Sequence, residues 1–313
     1  MQLITDIKTV YNGFTVIHCN FFEVDMKRFI ISIILICLIF SSCAFFSHIE
    51  EPSYDPIYAT DVNGEFVPIH KDVDESKLDP KLFFKENNGR YTYSDSGFVT
   101  KTGIDVSVFQ GDIDWTAVKA DGIDFAMLRI GFRGYGSKGI MEADAKFEEN
   151  YTNAKNSGID VGVYFYSQAV TAEEAREEAR FVLSLLGDKE LDFPVAYDWE
   201  YVDYAEARTA GMTSEQITLC AQAFCDEIRL SGREVSIYFN REIGYFEYDL
   251  TKLKDIDFWL AEYSEYPTFI YKFNMWQYTD SGSVDGISSN VDLNIYIEPM
   301  AVSDENISYE TYG

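Results

Sequence analysis

From Gly103 onward, short apolar runs alternate with stretches in which apolar residues recur every three or four positions. The runs at 103–108, 125–130, 161–166, 195–200, 235–239, 258–263 and 273–278 have the length and β-branched or aromatic content of strands. Between them lie helices with legible ends. Thr171 opens TAEEAREEARFVLSLLG, with Glu174 at capping-box distance and Gly187 at its close, and Thr213 with Gln216 opens a second that runs to Gly232. Repeated β-α units over about 195 residues predict an α/β domain with a parallel sheet, doubly wound or closed into a barrel.

Ahead of this domain the pattern differs. Residues 44–102 are polar and acidic, with hairpin signals at Asn63-Gly64 and Asn88-Gly89, and they predict a small β-rich stalk acting as a spacer. Residues 26–43, MKRFIISIILICLIFSSC, combine a basic start, an apolar run and small residues before Cys43. That is the layout of an export signal. It resembles a bacterial lipoprotein signal, which makes Cys43 the candidate for lipidation, although Phe40 stands where that pattern usually has Leu. An uncleaved membrane anchor is also long enough, since residues 29–46 number 18; simple secretion is the third reading. Residues 1–25 precede the signal, so translation is expected to start at Met26. The expected divisions are thus 1–25, 26–43, 44–102, a main domain at 103–298 and an acidic tail at 299–313.

Composition narrows the partners. With 25 Lys and Arg against 53 Asp and Glu, the net charge is −28, which argues against nucleic acid or an anionic membrane surface. His18, His48 and His70 all precede the main domain, so no Ser-His-Asp triad, Cys-His pair or His-ligated metal can be assembled within it. No cofactor is called for. Cys19 and Cys37 lie ahead of Cys43, and Cys220 and Cys225 are five apart on a predicted helix. That is about 140° around the axis, so they cannot bridge and read as small core residues.

Two motifs are decoys. GYGSKG at 134–139 fits a dinucleotide fingerprint, but its glycines begin several residues past the strand, and Asp160 starts the next strand instead of ending it. DSGSVDG from Asp280 suggests calcium, yet Val291 stands where a bidentate Glu is needed.

The candidate chemistry lies at strand ends. FPVAYDWE finishes a buried-strand pattern with Asp198 and Glu200, two positions apart and therefore on one face, with Cα atoms about 6.6 Å apart. Burying like charges side by side is costly unless one is protonated or both are paired. Asp105 lies in the first strand, Asn240 follows the fifth, and Trp276-Gln277-Tyr278 end the seventh. Asp292 joins them if SSNVDLNIY is the last strand. In a barrel such positions converge on one mouth, and paired acids with aromatic faces suit a carbohydrate cleft.

In this order, GIDVSVFQGDIDW, RIGFRGYG, VGVYFYS, PVAYDWE, FWLAEY, MWQYT and NVDLN closely resemble glycoside hydrolase family 25, the lysozymes that cut peptidoglycan. The resemblance covers about residues 103–297, and neither the stalk, the signal nor the tail. It implies an irregular, TIM-like β/α barrel that hydrolyses the β-1,4 bond between N-acetylmuramic acid and N-acetylglucosamine in peptidoglycan glycan strands. Carried over by motif, Glu200 becomes the general acid. Asp198 stabilises positive charge, as nucleophile or by orienting the substrate's acetamido group, and Asp105 and Asp292 complete the acidic floor. Substrate contacts fall to Tyr164, Tyr166, Tyr238, Tyr263, Trp276 and Gln277. The family's Tyr-His-Phe is Tyr164-Phe165-Tyr166 here, which removes a histidine but no acid. Three neighbouring carboxylates are expected to raise the Glu200 pKa, while donors from tyrosines keep Asp198 charged. The chain is expected to be a monomer at the outer face of the cell membrane, held by a lipid or helix. A non-catalytic glycan-binding module on the same fold, or a hydrolase of chitin or another N-acetylated glycan, is the alternative.

Overall fold

The computed structural model describes residues 57–61 and 63–300, and ahead of them only the backbone of two short strands. The chain divides into two units, Met1–Asp55 and Pro56–Gly313. In the first, β1 (Lys8–Tyr11) and β2 (Phe14–Ile17) pair antiparallel. The expected start at Met26, the signal at 26–43 with Cys43, and the tail beyond 300 lie outside the described residues.

The second unit begins with two hairpins. β3 (Ile57–Thr60) pairs with β4 (Phe66–Ile69), and β5 (Phe83–Lys85) with β6 (Tyr91–Tyr93). Their turns contain Gly64 and Gly89 at φ of +82° and +83°, the left-handed conformation for which Asn-Gly is selected. Eight further strands close a barrel: β7 (Phe98–Val106), β8 (Phe125–Arg133), β10 (Asp160–Ser167), β11 (Val195–Trp199), β12 (Val235–Asn240), β13 (Asp257–Ala261), β14 (Met275–Gly282) and β15 (Val291–Pro299). The intervening β9 (Met141–Ala143) is a flap on β8. Among the described residues the α-helices are α1 (Trp115–Ala120), α2 (Phe147–Asn156), α3 (Ala172–Leu186), α4 (Ser214–Leu230) and α5 (Arg241–Phe246).

The TIM-like expectation needs correcting. Seven barrel strands run parallel, but β15 lies antiparallel between β14 and β7, so the barrel is mixed. No helix separates β13 from β14 or β14 from β15. The reversal has a consequence for the site: parallel strands deliver their C-terminal ends to the mouth, and an antiparallel strand delivers its N-terminal end. Asp292, second in β15, therefore sits in register with Asp105 near the end of β7.

Strand alternation sorts the residues into two cores. Inside the barrel pack Phe125, Met127, Phe193, Ala196, Tyr238, Trp259, Ala261 and Met275. Gly103 and Gly162 point inward too, and both give up volume to this filling. A Cβ at Gly103 would lie 2.2 Å from the Phe125 ring, and one at Gly162 would lie 2.5 Å from Met127 Sδ. Outside, helices cover most strands. Both helix starts read from the sequence are present, although Glu174 reaches back to Val170 N–H and not to the Thr171 cap itself. Cys220 and Cys225 are free and buried.

The described part of the segment expected as a stalk, residues 57–61 and 63–102, instead packs on this core. Because no helix follows β13, the outer face of β14 would expose Trp276 and Tyr278. The β5–β6 hairpin takes the helix's place: Phe83 and Tyr91 meet Trp276 with ring centroids 5.2 and 4.9 Å apart, and Tyr91 meets Tyr278 at 5.0 Å. Backbone bonds tie the rest down, Ser76 N–H to Ile270 O and Lys272 N–H to Asp74 O. Phe83, Tyr91, Tyr93, Val67 and Val73 are all buried.

Candidate active site

The register explains how the site assembles. Asp292, Asp105, Tyr166, Asp198, Tyr238, Gln277 and Asn294 occupy inward positions. Glu200 follows β11 by one residue and continues the alternation of Asp198. The structure thus brings together all four sequence-predicted acids. The carboxyl groups form two pairs, Asp198 with Glu200 and Asp105 with Asp292, each within hydrogen-bonding reach.

Amide side chains hold the floor in place. Asp105 Oδ2 accepts from Gln277 Nε2 at 2.9 Å and from Asn294 Nδ2 at 2.8 Å. Gln277 Oε1 in turn accepts from the Tyr238 and Tyr263 hydroxyls at 3.0 and 2.8 Å, and Asn294 Oδ1 from Trp259 Nε1 at 2.8 Å. Each amide accepts on one side and donates on the other, so its orientation is determined, and both donate to the same carboxylate. The tyrosine hydroxyls therefore end on Gln277. Contrary to the expectation, no tyrosine among the described residues donates to Asp198, whose Oδ1 is buried without a hydrogen-bond partner.

Burial and mutual repulsion govern protonation. Asp198, 4 % exposed, has its pKa driven well above the carboxylate range by desolvation and then by the charges of Glu200 and Asp105. Glu200 is raised by burial and by Asp292, with the Asp198 hydrogen bond acting in the opposite sense. Asp105 is raised by burial against the two amide donors. Asp292 is pushed up to about 9 by burial and by Asp105. Like charges at such distances do not both ionise near neutral pH, so each pair retains a proton.

This arrangement has a stability signature. The folded Asp292 pKa lies above its unfolded value of 3.8, so the native state binds the extra proton between about pH 4 and 9, and stability falls as pH rises through that window. Asp292→Asn removes the liability and keeps a donor for Asp105. Discounted for partial exposure, we expect about 1–3 kcal/mol of stabilisation at pH 8, a Tm gain of roughly 3–8 °C, vanishing toward pH 4. Thermal unfolding of both proteins at the two pH values checks it; equal Tm at pH 8 would refute the proton sharing.

The remaining expected contacts divide by parity. Tyr164, Tyr166, Tyr238, Tyr263 and Gln277 face the barrel interior or its mouth. Trp276 does not: as the neighbour of inward Gln277 it points outward, is 0 % exposed and donates from Nε1 to Glu262 O, so it is removed from the substrate contacts. Phe165 likewise points outward, against Phe181 and Phe224 of α3 and α4. The place of the missing histidine is therefore not in the cleft.

Sequence reasoning missed three groups. Asn294 was recoverable, since it lies two residues from Asp292 on the same face. Arg129, also inward on β8, is the cation acting on Asp198; it is paired with Asp144 at 2.8 Å and lies over the Phe109 ring at 4.8 Å. Asp144 follows directly on the β9 flap, and no local pattern announces it. The cleft itself holds about 800 Å³ and is lined by Glu200, Tyr238, Asn240, Ala261, Tyr263, Arg241, Glu242 and Phe246, together with Glu65 and Phe66. GYGSKG forms the loop between β8 and β9, and DSGSVDG spans the end of β14 and the turn to β15.

Comparison with known proteins agrees with this geometry. The model for glycosyl hydrolases family 25 matches residues 104–287. The autolytic lysozyme of Clostridium acetobutylicum is 29 % identical over 202 residues, 64 % of this chain and 57 % of that protein. Lysozyme M1 of Streptomyces globisporus is 30 % identical over 209 residues, 61 % of this chain and 66 % of that one. The chain thus spans less than two thirds of the length of these relatives. In fold it is similar to the modular autolysin LytC of Streptococcus pneumoniae, solved with a synthetic peptidoglycan ligand, at a TM-score of 0.58 and 23 % identity, over 78 % of this chain and 58 % of that one. A family match over more than half of the sequence, on a barrel whose mouth gathers the acids of that family's motifs, means that this chain belongs to glycosyl hydrolase family 25.

Proposed function

We propose that this protein is a muramidase, a peptidoglycan hydrolase that cleaves the β-1,4 bond between N-acetylmuramic acid and N-acetylglucosamine. The observation that carries the proposal is the pair Asp198 and Glu200, on one face at the end of β11, beneath and beside an aromatic-lined cleft. The lysozyme relatives support the substrate class.

The roles follow from access. Glu200 lines the cleft, whereas Asp198 lies beneath it, so Glu200 has the reach that proton delivery to a glycosidic oxygen requires. Asp198 is then the group that meets positive charge as it develops on the sugar, directly or through the substrate's acetamido group. When the shared proton passes from Glu200 to the leaving glycosidic oxygen, both carboxylates are left anionic toward the positive charge developing on the sugar. Asp105 and Asp292 keep the local field negative, and Gln277 and Asn294 hold Asp105 in place.

The test is digestion of purified peptidoglycan by the soluble chain, followed by reduction and mass spectrometry of the fragments. Reduced muramic acid ends are expected. Reduced glucosamine ends, or binding without release, would replace this reading with a different cleavage or with the glycan-binding module; release from chitin alone would favour the third.

We further propose that the protein works at the outer face of the cell membrane, exported by the signal ahead of Cys43 and anchored by a lipid on Cys43 as its mature N-terminus. Metabolic labelling with a fatty acid is expected to mark the wild type and not Cys43→Ser; equal labelling of both would refute it.

A further inference from the structure

We infer that the β3–β4 hairpin, which lies outside the family-matched residues, supplies the cleft with an additional sugar-binding wall in which Phe66 stacks on a further N-acetylhexosamine ring of the glycan strand. The inference rests on reading the cleft as glycan-binding. Phe66 lines the same cleft as Glu200, yet it is 64 % exposed, in a strand whose neighbour Val67 is fully buried. An exposed aromatic at a cleft rim is a costly use of apolar surface unless something flat covers it. Tyr58, diagonal to it across the hairpin and 50 % exposed, stacks against it with centroids 5.2 Å apart and planes at 13°. The aromatic is therefore braced as a platform.

The hairpin is also clamped in place beside the cleft. Asp61, with its side chain fully buried, accepts from the N–H groups of Asn63 and Glu65 at 2.9 and 2.8 Å and so shapes the turn. The same carboxylate and that of Glu65 pair with Arg241 at the start of α5, itself a cleft residue. Asn63 Nδ2 donates to Thr268 Oγ1 at 2.9 Å. Contacts in both directions across the rim fix Phe66 relative to Glu200 before substrate arrives, which removes an ordering cost from binding.

The experiment compares muropeptide-free glycan oligosaccharides of different length, a tetrasaccharide and an octasaccharide, using the full chain. Phe66→Ala is expected to raise KM for the octasaccharide about fivefold to tenfold at little change in kcat, and to shrink the advantage of the longer substrate. Phe66→Trp should restore it, and Asp61→Ala, which frees the hairpin while leaving the ring present, should move KM in the same direction. Phe84→Ala, an exposed aromatic on the neighbouring hairpin, serves as the control for loss of a surface ring. A KM ratio equal to wild type in Phe66→Ala would overturn the inference. A wild type that cleaves neither oligosaccharide would instead overturn the reading of the cleft, so the two failures are distinguishable.

Discussion

Glu200→Gln is expected to lower turnover on peptidoglycan by about 10³-fold, equivalent to about 4 kcal/mol in the barrier, while the protein stays folded and binds its glycan. Glutamine has the shape of the acid and can donate a hydrogen bond to Asp198, so the geometry of the pair survives. What it lacks is a transferable proton. The substitution also relieves the cluster: burial holds the Asp198 pKa high, but the Glu200 charge adds to it, and without that charge Asp198 ionises more readily. Binding of the glycan is then retained, and the loss falls on kcat. Counting new reducing ends against time, with glycan binding and Tm measured alongside, separates these effects. A kcat within tenfold of wild type would transfer the proton-donor role to Asp198. In the wild type the protonated fraction of Glu200 declines as pH rises through its elevated pKa, so activity falls on the alkaline side, and this limb should be absent from the residual activity of the variant.

How much of this was legible in the sequence depends on whether a local period carries the information. Strands β8, β10, β11, β12 and β13 announce themselves by apolar runs, and their inward acids and tyrosines by alternation along one strand. Asp198 and Glu200 could be placed on one face without any structure. The antiparallel course of β15 could not be read, because its residues alternate in the same way in either direction; only pairing with β7 and β14 reveals it. Nor could the Arg129–Asp144 pair, which joins a barrel strand to the turn after β9. The hairpins at Asn63-Gly64 and Asn88-Gly89 were visible as turns. Their docking was not, because it is dictated by the absence of a helix after β13, some 170 residues further along the chain from Asn88. Trp276 was misread for a different reason: it was grouped with Gln277 by proximity, although period two places adjacent residues on opposite faces.

That misreading gives a second large expectation. Trp276→Ala should destabilise the fold by about 3–5 kcal/mol, the range for removing a large aromatic from a packed core. The side chain is 0 % exposed, enclosed by Phe83, Tyr91 and Tyr278, and its Nε1 is satisfied by Glu262 O, so neither collapse nor solvent can cheaply fill the space. The loss also loosens what the ring joins. Phe83 and Tyr91 belong to the β5–β6 hairpin, and the carbonyl of Glu262 belongs to the loop whose carboxylate accepts from Thr268 N–H and Phe269 N–H. Trp276 therefore links the N-terminal segment to the loop beside Tyr263 at the cleft, while Gln277, its neighbour in the chain, links the same strand to Asp105. Denaturant unfolding of Trp276→Ala and Trp276→Phe checks the assignment. The phenylalanine variant, which keeps most of the contact and loses the indole N–H, should recover a large part of the stability. A residue that contacted substrate would behave differently, with KM raised and the unfolding midpoint unmoved, and that result would return Trp276 to the cleft and leave the docked hairpin without its main anchor.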